Sequence, residues 1–114
     1  MGISVFKASD RHFVRYLGHE GDEKGSAWIA RLVGHSNSTT LAGGVVVYEE
    51  VAVDWDLPFD EMITVLEGSM NIEASGAIHE VAAGDVAWFP AHTPLRYVVA
   101  RRVVVSYAVY PIPS

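Results

Sequence analysis

Cysteine is missing from this chain, which excludes disulfides, thiolate nucleophiles and thiolate zinc sites together. Basic residues are scarce: eight Lys and Arg stand against fourteen Asp and Glu, a formal charge of -6. Nucleic acid and anionic membrane both require a basic footprint, so neither is an expected partner. Lys7 and Lys24 are the only lysines, and no GxxxxGK[ST] loop exists to cradle nucleotide phosphates. No apolar run approaches a membrane span. The first ten residues lack the basic start and apolar core of a secretory signal, and a cytoplasmic location is the expectation. Neither His-x-His nor His-x-x-x-His spacing occurs among the five histidines, so the usual shorthand for a metal site is absent as well.

What is present is valine. Val45, Val46, Val47, Val51 and Val53 form one cluster, and Val98, Val99, Val103, Val104, Val105 and Val109 another. Side chains branched at Cβ are stiff at χ1 and pack well on a pleated surface, so the composition favours strands. A length of 114 residues suits one domain, residues 1–114, and not two.

Residues 1–25 read as an N-terminal strand, Ile3 to Phe6, and a turn-rich loop around residues 19–26. Ser26 to Val33 is a strand or one turn of helix; periodicity does not separate the two. Residues 34–40 form a loop by their Gly, Ser and Asn content. From 41 to 111 the pattern is steadier. Residues 41–55 give a strand and a second extended piece. Residues 62–74 give two strands joined by a tight turn at Glu67-Gly68, where glycine supplies the positive φ. Ala83-Gly84-Asp85 is the next turn, residues 95–110 form a hairpin around Ala100 to Arg102, and Pro111 ends it. Short strands at such spacing with glycine turns predict an all-β antiparallel sandwich or barrel.

Two stretches carry a family likeness. Trp55 to Gly68, WDLPFDEMITVLEG, and Gly84 to Tyr97, GDVAWFPAHTPLRY, resemble the paired motifs of the cupin superfamily. In those motifs two histidines and a glutamate lead into a strand ending in glycine, and a Gly-Asp turn leads to a proline and a third histidine. Asp60-Glu61, Leu66-Glu67-Gly68, Gly84-Asp85 and Pro90 keep the pattern jointly. Glu61 holds the glutamate position, while Trp55, Leu57 and Leu95 occupy the three histidine positions. His92 stands three residues before the last of them. A divalent ion needs several converging imidazoles or carboxylates, so the expectation is a barrel without the family metal.

Within the superfamily the chain is most similar to the cupin domain of the ethanolamine-utilisation Q family. That family also lacks the histidines and has a tryptophan, then Asp-Glu, then a VLEG turn. Its Trp-Glu pair and its Tyr-x-x-Trp-Pro ending are resembled by Tyr48-Glu49 and by Tyr107 to Pro111. The resemblance implies a small double-stranded β-helix (jelly roll) barrel, a homodimer and acetate kinase activity, with ATP and Mg²⁺ needed only for that activity and no other cofactor.

Alternation along strands assigns the candidate site. With Glu61 inward, Ile63 and Val65 follow it, while Met62, Thr64 and Leu66 face out. Val86, Trp88 and Pro90 share a face, as do Leu95, Tyr97 and Val99, and as do Val105, Tyr107 and Val109. The expected interior is an apolar, aromatic cup with Trp55, Leu57, Trp88, Leu95 and Tyr97 as ligand contacts, joined by Tyr48, Glu49 and His92. Glu61 and Tyr107 are the catalytic candidates. Burial raises the pKa of a carboxylate and suits it to acid or base work, but Glu61 is equally readable as a relic acid tied to Tyr107 or a backbone amide. Three functions remain open for a small organic acid in this cup: the kinase reaction, a metal-independent lyase, isomerase or hydrolase with Glu61 as base, and ligand binding without chemistry. The kinase reading is short of cations, because phosphoryl transfer rests on neutralised charge. A homodimer is expected because a small barrel leaves edge strands, with Ile3 to Phe6 pairing across the two-fold.

Overall fold

The computed structural model describes residues 2–17 and 24–113. Their regular structure is β apart from one 3-10 turn at Ala8–Asp10. The strands are β1 (Val14–Leu17), β2 (Lys24–Val33), β3 (Ala42–Trp55), β4 (Asp60–Ala74), β5 (Ala77–Ala82), β6 (Val86–Phe89), β7 (Leu95–Val98) and β8 (Arg102–Tyr110). Every pairing is antiparallel.

Two long strands close the barrel. The first part of β3 pairs with β8 and its last part with β7. In the same way β4 pairs first with β8 and later with β7. Each therefore passes from beside β8 to beside β7, and β3, β8, β4 and β7 form a closed ring within one eight-stranded sheet. β2 and β1 extend it beyond β3, and β5 and β6 extend it beyond β4. This is the cupin barrel.

The crossings need bends. β3 bends at Glu50, whose φ is 54° and whose N–H donates to the Arg101 carbonyl at 3.0 Å. β4 bends at Gly68, with φ 78°, just after a register shift between Val65 and Glu67. A Cβ on Gly68 would meet the carbonyl oxygen of Arg102. Glycine is needed there on both counts, conformation and space.

Alternation holds along β4: Glu61, Ile63, Val65, Met70 and Ile72 are buried. The first half of β3 differs, being buried on both faces from Ala42 to Tyr48. Its inner side joins the main core, while Val45 and Val47 pack outside with Val104 against Phe13, Trp28 and Leu32. A strand covered on both faces reads as an unbroken apolar run.

Four expectations need correction. Ile3 to Phe6 is not a strand: the stretch has no ladder partner and Ile3 is 91% exposed. Lys24 to Ser26 belongs to β2, so the loop reading around residues 19–26 fails for those three, and His19 lies outside the described residues. Glu67-Gly68 is a bend inside one 15-residue strand; the positive φ signals a bulge as readily as a turn. Residues 95–110 are not a hairpin, since β7 and β8 each pair with β3 and β4 and not with each other. Ser26 to Val33 resolves as strand, paired along β3.

Candidate functional site

Strand register places the polar groups. Arg31 of β2 faces Gly44 of β3, Gly44 faces Tyr107 of β8, and Tyr107 faces Ile63 of β4. Cross-strand partners share a face, so these four form one inward row running from exposed Arg31 to fully buried Ile63. Gly44 has no side chain to give that row, and a Cβ there would stand 3.1 Å from the Tyr107 ring and hydroxyl. Glu61, two residues before Ile63, lies opposite Val109 on one side and Phe89 of β6 on the other.

Of these, Arg31, Glu61, Tyr107 and Val109 line a cavity of about 410 Å³ together with Tyr16, Tyr48, Trp55, Leu57, Phe59 and Tyr97. Tyr16 stacks on Trp55 with centroids 6.2 Å apart and planes 16° apart. Tyr97 meets Tyr48, Trp55 and Phe89 edge to face. The Arg31 guanidinium lies 6.0 Å from the centre of the Tyr16 ring, within cation–π range. Ile112 and Pro113 line the rim after β8, and Pro113 accepts a hydrogen bond from His35 Nε2 at 2.7 Å.

Glu61 is 9% exposed, the one buried charged residue among those described. Its carboxylate makes no hydrogen bond or ion pair with another described residue, so it is not tied to Tyr107. Burial without compensation disfavours the charged form, and the Glu61 carboxyl is pushed up to about 7 from 4.5. Burial also raises the four phenols that face it, Tyr48 and Tyr97 most strongly. They are neutral hydrogen-bond groups at ordinary pH. The Trp55 indole N–H is buried and lacks a partner among the described residues, an unmet donor in a wall of the cavity.

The structure brings Glu61, Tyr107, Trp55, Leu57, Tyr48 and Tyr97 together around this cavity. Leu95 is buried in the core beneath it, opposite Trp55. Three expected contacts lie elsewhere. Trp88 is 60% exposed because it pairs with outward Met62, whereas Ala87 and Phe89 pair with inward Ile63 and Glu61. The two faces of β6 were assigned the wrong way round. Glu49 follows Tyr48 on β3, and alternation turns it outward to Arg102 Nε at 3.5 Å. His92 is exposed and lies 3.8 Å from Asp56 through Nδ1. Asp60, beside Glu61 at the start of β4, is half-buried and accepts the Ala91 N–H at 2.8 Å.

Sequence reasoning missed Tyr16, Arg31, Phe59 and His35. The signal for Arg31 existed: Ala27, Ile29 and Arg31 alternate, and the strand reading of Ser26 to Val33 puts all three on one face. Tyr16 carries no such signal, since β1 is four residues long and shifts register between Arg15 and Leu17. Arg96 and Arg102, the more conspicuous cations, are engaged with Asp54, Glu49 and Glu67 outside the cavity.

The residues present do not fit the metal of the cupin pattern. Trp55, Leu57 and Leu95 have no donor to offer it, and no three His, Asp or Glu side chains converge among the described residues.

Comparison with known proteins follows this geometry. The family model for the ethanolamine utilisation protein EutQ matches residues 1–113. The chain belongs to the EutQ family. Acetate kinase EutQ of Escherichia coli (strain K12) is 27% identical over 110 residues, which is 96% of this chain and 46% of the relative. Its Salmonella typhimurium counterpart is 26% identical over 96% of this chain and 47% of the relative. The chain thus spans about half the length of these EutQ relatives. Among solved structures, the Clostridium difficile EutQ protein superposes with a TM-score of 0.73 at 23% identity, covering 77% of this chain and 64% of that one. An RmlC-like cupin from Shewanella frigidimarina gives 0.78 at 14% identity, covering 99% and 95%. Both likenesses establish the cupin fold.

Proposed function

We propose that this EutQ-family cupin binds a small organic acid in its barrel. One observation carries the reading: the described lining joins one guanidinium, Arg31, to four phenols and the unpartnered Trp55 indole N–H, with Glu61 as its one carboxyl and apolar side chains around them. Donors in excess of acceptors suit a carboxylate, and the rings suit a short apolar body. The relatives' name, acetate kinase EutQ, is consistent with an acid as ligand. The test is calorimetric titration of the purified chain with acetate and benzoate, with Arg31→Ala as control. Saturable binding that weakens at least tenfold in the variant supports the reading; an unchanged affinity removes Arg31 from it.

Kinase activity is a further step. ATP and Mg²⁺ would need cationic and carboxylate groups that the described lining does not supply: it holds Arg31 and Glu61, with no glycine-rich phosphate loop. The residues do not fit a triphosphate. ATP turnover in the presence of acetate and Mg²⁺ is the direct measurement, and its absence in the purified chain eliminates this activity for residues 1–114.

A second reading has its own support. A carboxyl near 7 in a cavity is matched to general-base work at neutral pH, with Tyr107 as the adjacent acid. A metal-independent lyase, isomerase or hydrolase built this way loses turnover in Glu61→Gln while still binding acids. Saturable quenching of tryptophan fluorescence without turnover of any acid tested leaves a binding module. A cytoplasmic homodimer belongs to the same proposal, and a monomer at micromolar concentration by light scattering argues against it.

A further inference from the structure

Building on the acid-binding reading, we propose that the hollow takes up its acid together with one proton, so that Glu61 is neutral in the complex and donates its O–H to the ligand carboxylate. A bound carboxylate inside this cavity brings a second acid beside Glu61, and two carboxylates sharing an apolar site cannot both remain ionised. Among the described lining residues Arg31 is the one arginine or lysine, and it is exposed. It can offset one negative charge and not two.

The groups that face Glu61 leave it as the site of protonation. Tyr16 comes from β1, Arg31 from β2, Tyr48 from β3, Tyr97 from β7 and Tyr107 from β8; β6 adds only the Phe89 ring. The phenols are held neutral by burial. His35 lies out at the rim and is engaged by the Pro113 carbonyl. Glu61 has no partner among the described residues, so a proton placed on it is free to be donated. Its raised pKa is in keeping with this geometry.

The step balances without any change at carbon. Glu61 carboxylate, one proton from solvent and the ligand carboxylate give a carboxylic acid hydrogen-bonded to a carboxylate. Affinity is then level below about pH 7 and falls about tenfold per pH unit above it. The opposite arrangement is an organic ammonium ion held by an ionised Glu61 and the ring faces. It would bind with proton release and tighten as pH rises.

Calorimetric titration with benzoate and acetate between pH 6 and 9, in buffers of different ionisation enthalpy, tests the proposal. The expected result is uptake of close to one proton at pH 8.5, with affinity about tenfold weaker at pH 9 than at pH 8. Glu61→Gln, a permanent mimic of the neutral acid, should bind at pH 9 as the wild type does at pH 6, and take up no proton. Proton uptake by the wild-type protein decides the matter alone if that variant does not fold. Acid binding with a flat pH profile and no proton taken overturns the proton coupling and leaves the acid reading standing. Failure of both acids to bind either protein at any pH overturns the acid reading itself. Propylammonium binding that tightens with pH overturns both.

Discussion

The two ends of the barrel are built by the same strands and filled in opposite ways. Where β3 and β4 bend, Val51, Val65, Met70, Val81, Val99 and Val103 close the interior with aliphatic side chains. Backbone bonds tie that end together, Val99 N–H to the Val51 carbonyl at 2.8 Å and Gly84 N–H to the Val65 carbonyl at 2.8 Å. At the other end the same strands present Tyr48, Trp55, Glu61, Tyr97 and Tyr107, and a cavity remains. Compact branched residues mesh at close to crystal density. Large rings set edge to face on separate strands do not fill the space between them. One end therefore holds the fold together and the other is available for chemistry.

This contrast makes the same chemical change cost different amounts at each end. Val103→Asp puts a carboxylate at the sealed end, where Val103 has no exposure. The expected loss is about 4 kcal/mol or more, read as failure to fold or a collapsed urea midpoint. A stable, soluble variant would show that the bend end also tolerates polarity.

Glu61→Gln removes the acid that the open end already carries. The folded-state pKa of about 7 lies above the ordinary 4.5. The stability associated with proton binding is therefore complete below 4.5 and is lost as pH rises through 7. The Gln variant escapes that loss. Its advantage over wild type grows between those two values and levels off above them, reaching about 3 kcal/mol at pH 8.5. Urea denaturation at pH 5 and pH 8.5 measures it, and equal stabilities at both would mean that Glu61 is well solvated or paired.

Gly68→Ala tests the bend that separates the two ends. A Cβ there combines a left-handed φ with a clash against the Arg102 carbonyl, and about 2 kcal/mol is the expected cost. The smallest effect belongs to Trp88→Lys. An indole on the outside of β6 contributes to neither end, so stability should change by less than about 0.5 kcal/mol and acid affinity not at all. A lost affinity there would return Trp88 to the site.

Much of this was legible along the chain, and the failures share a cause. Glu61, Ile63 and Val65 are correctly phased because the cupin resemblance sets Glu61 inward and strand alternation carries the other two with it. On β6 the alternation Val86, Ala87, Trp88, Phe89 has apolar groups on both faces, so the period is visible and its phase is not. Only pairing with β4 decides that Phe89 and not Trp88 points inward. The apparent hairpin at Ala100 to Arg102 failed for a related reason. Two strands joined by a short turn usually pair, but here each pairs with β3 and β4 and not with the other.

Local chemistry in the chain was enough for the β class, the positive φ at Gly68, the cupin motifs and the replacement of their histidines by Trp55, Leu57 and Leu95. Those features depend on residue type and on spacings of a few positions. The tertiary structure alone decided that Tyr16 and Arg31 complete the cavity and that Glu61 lacks a partner among the described residues. It also decided that Glu49, Trp88 and His92 stand outside. Each of these depends on register between strands far apart in sequence, and a shift of one residue turns every side chain to the other face.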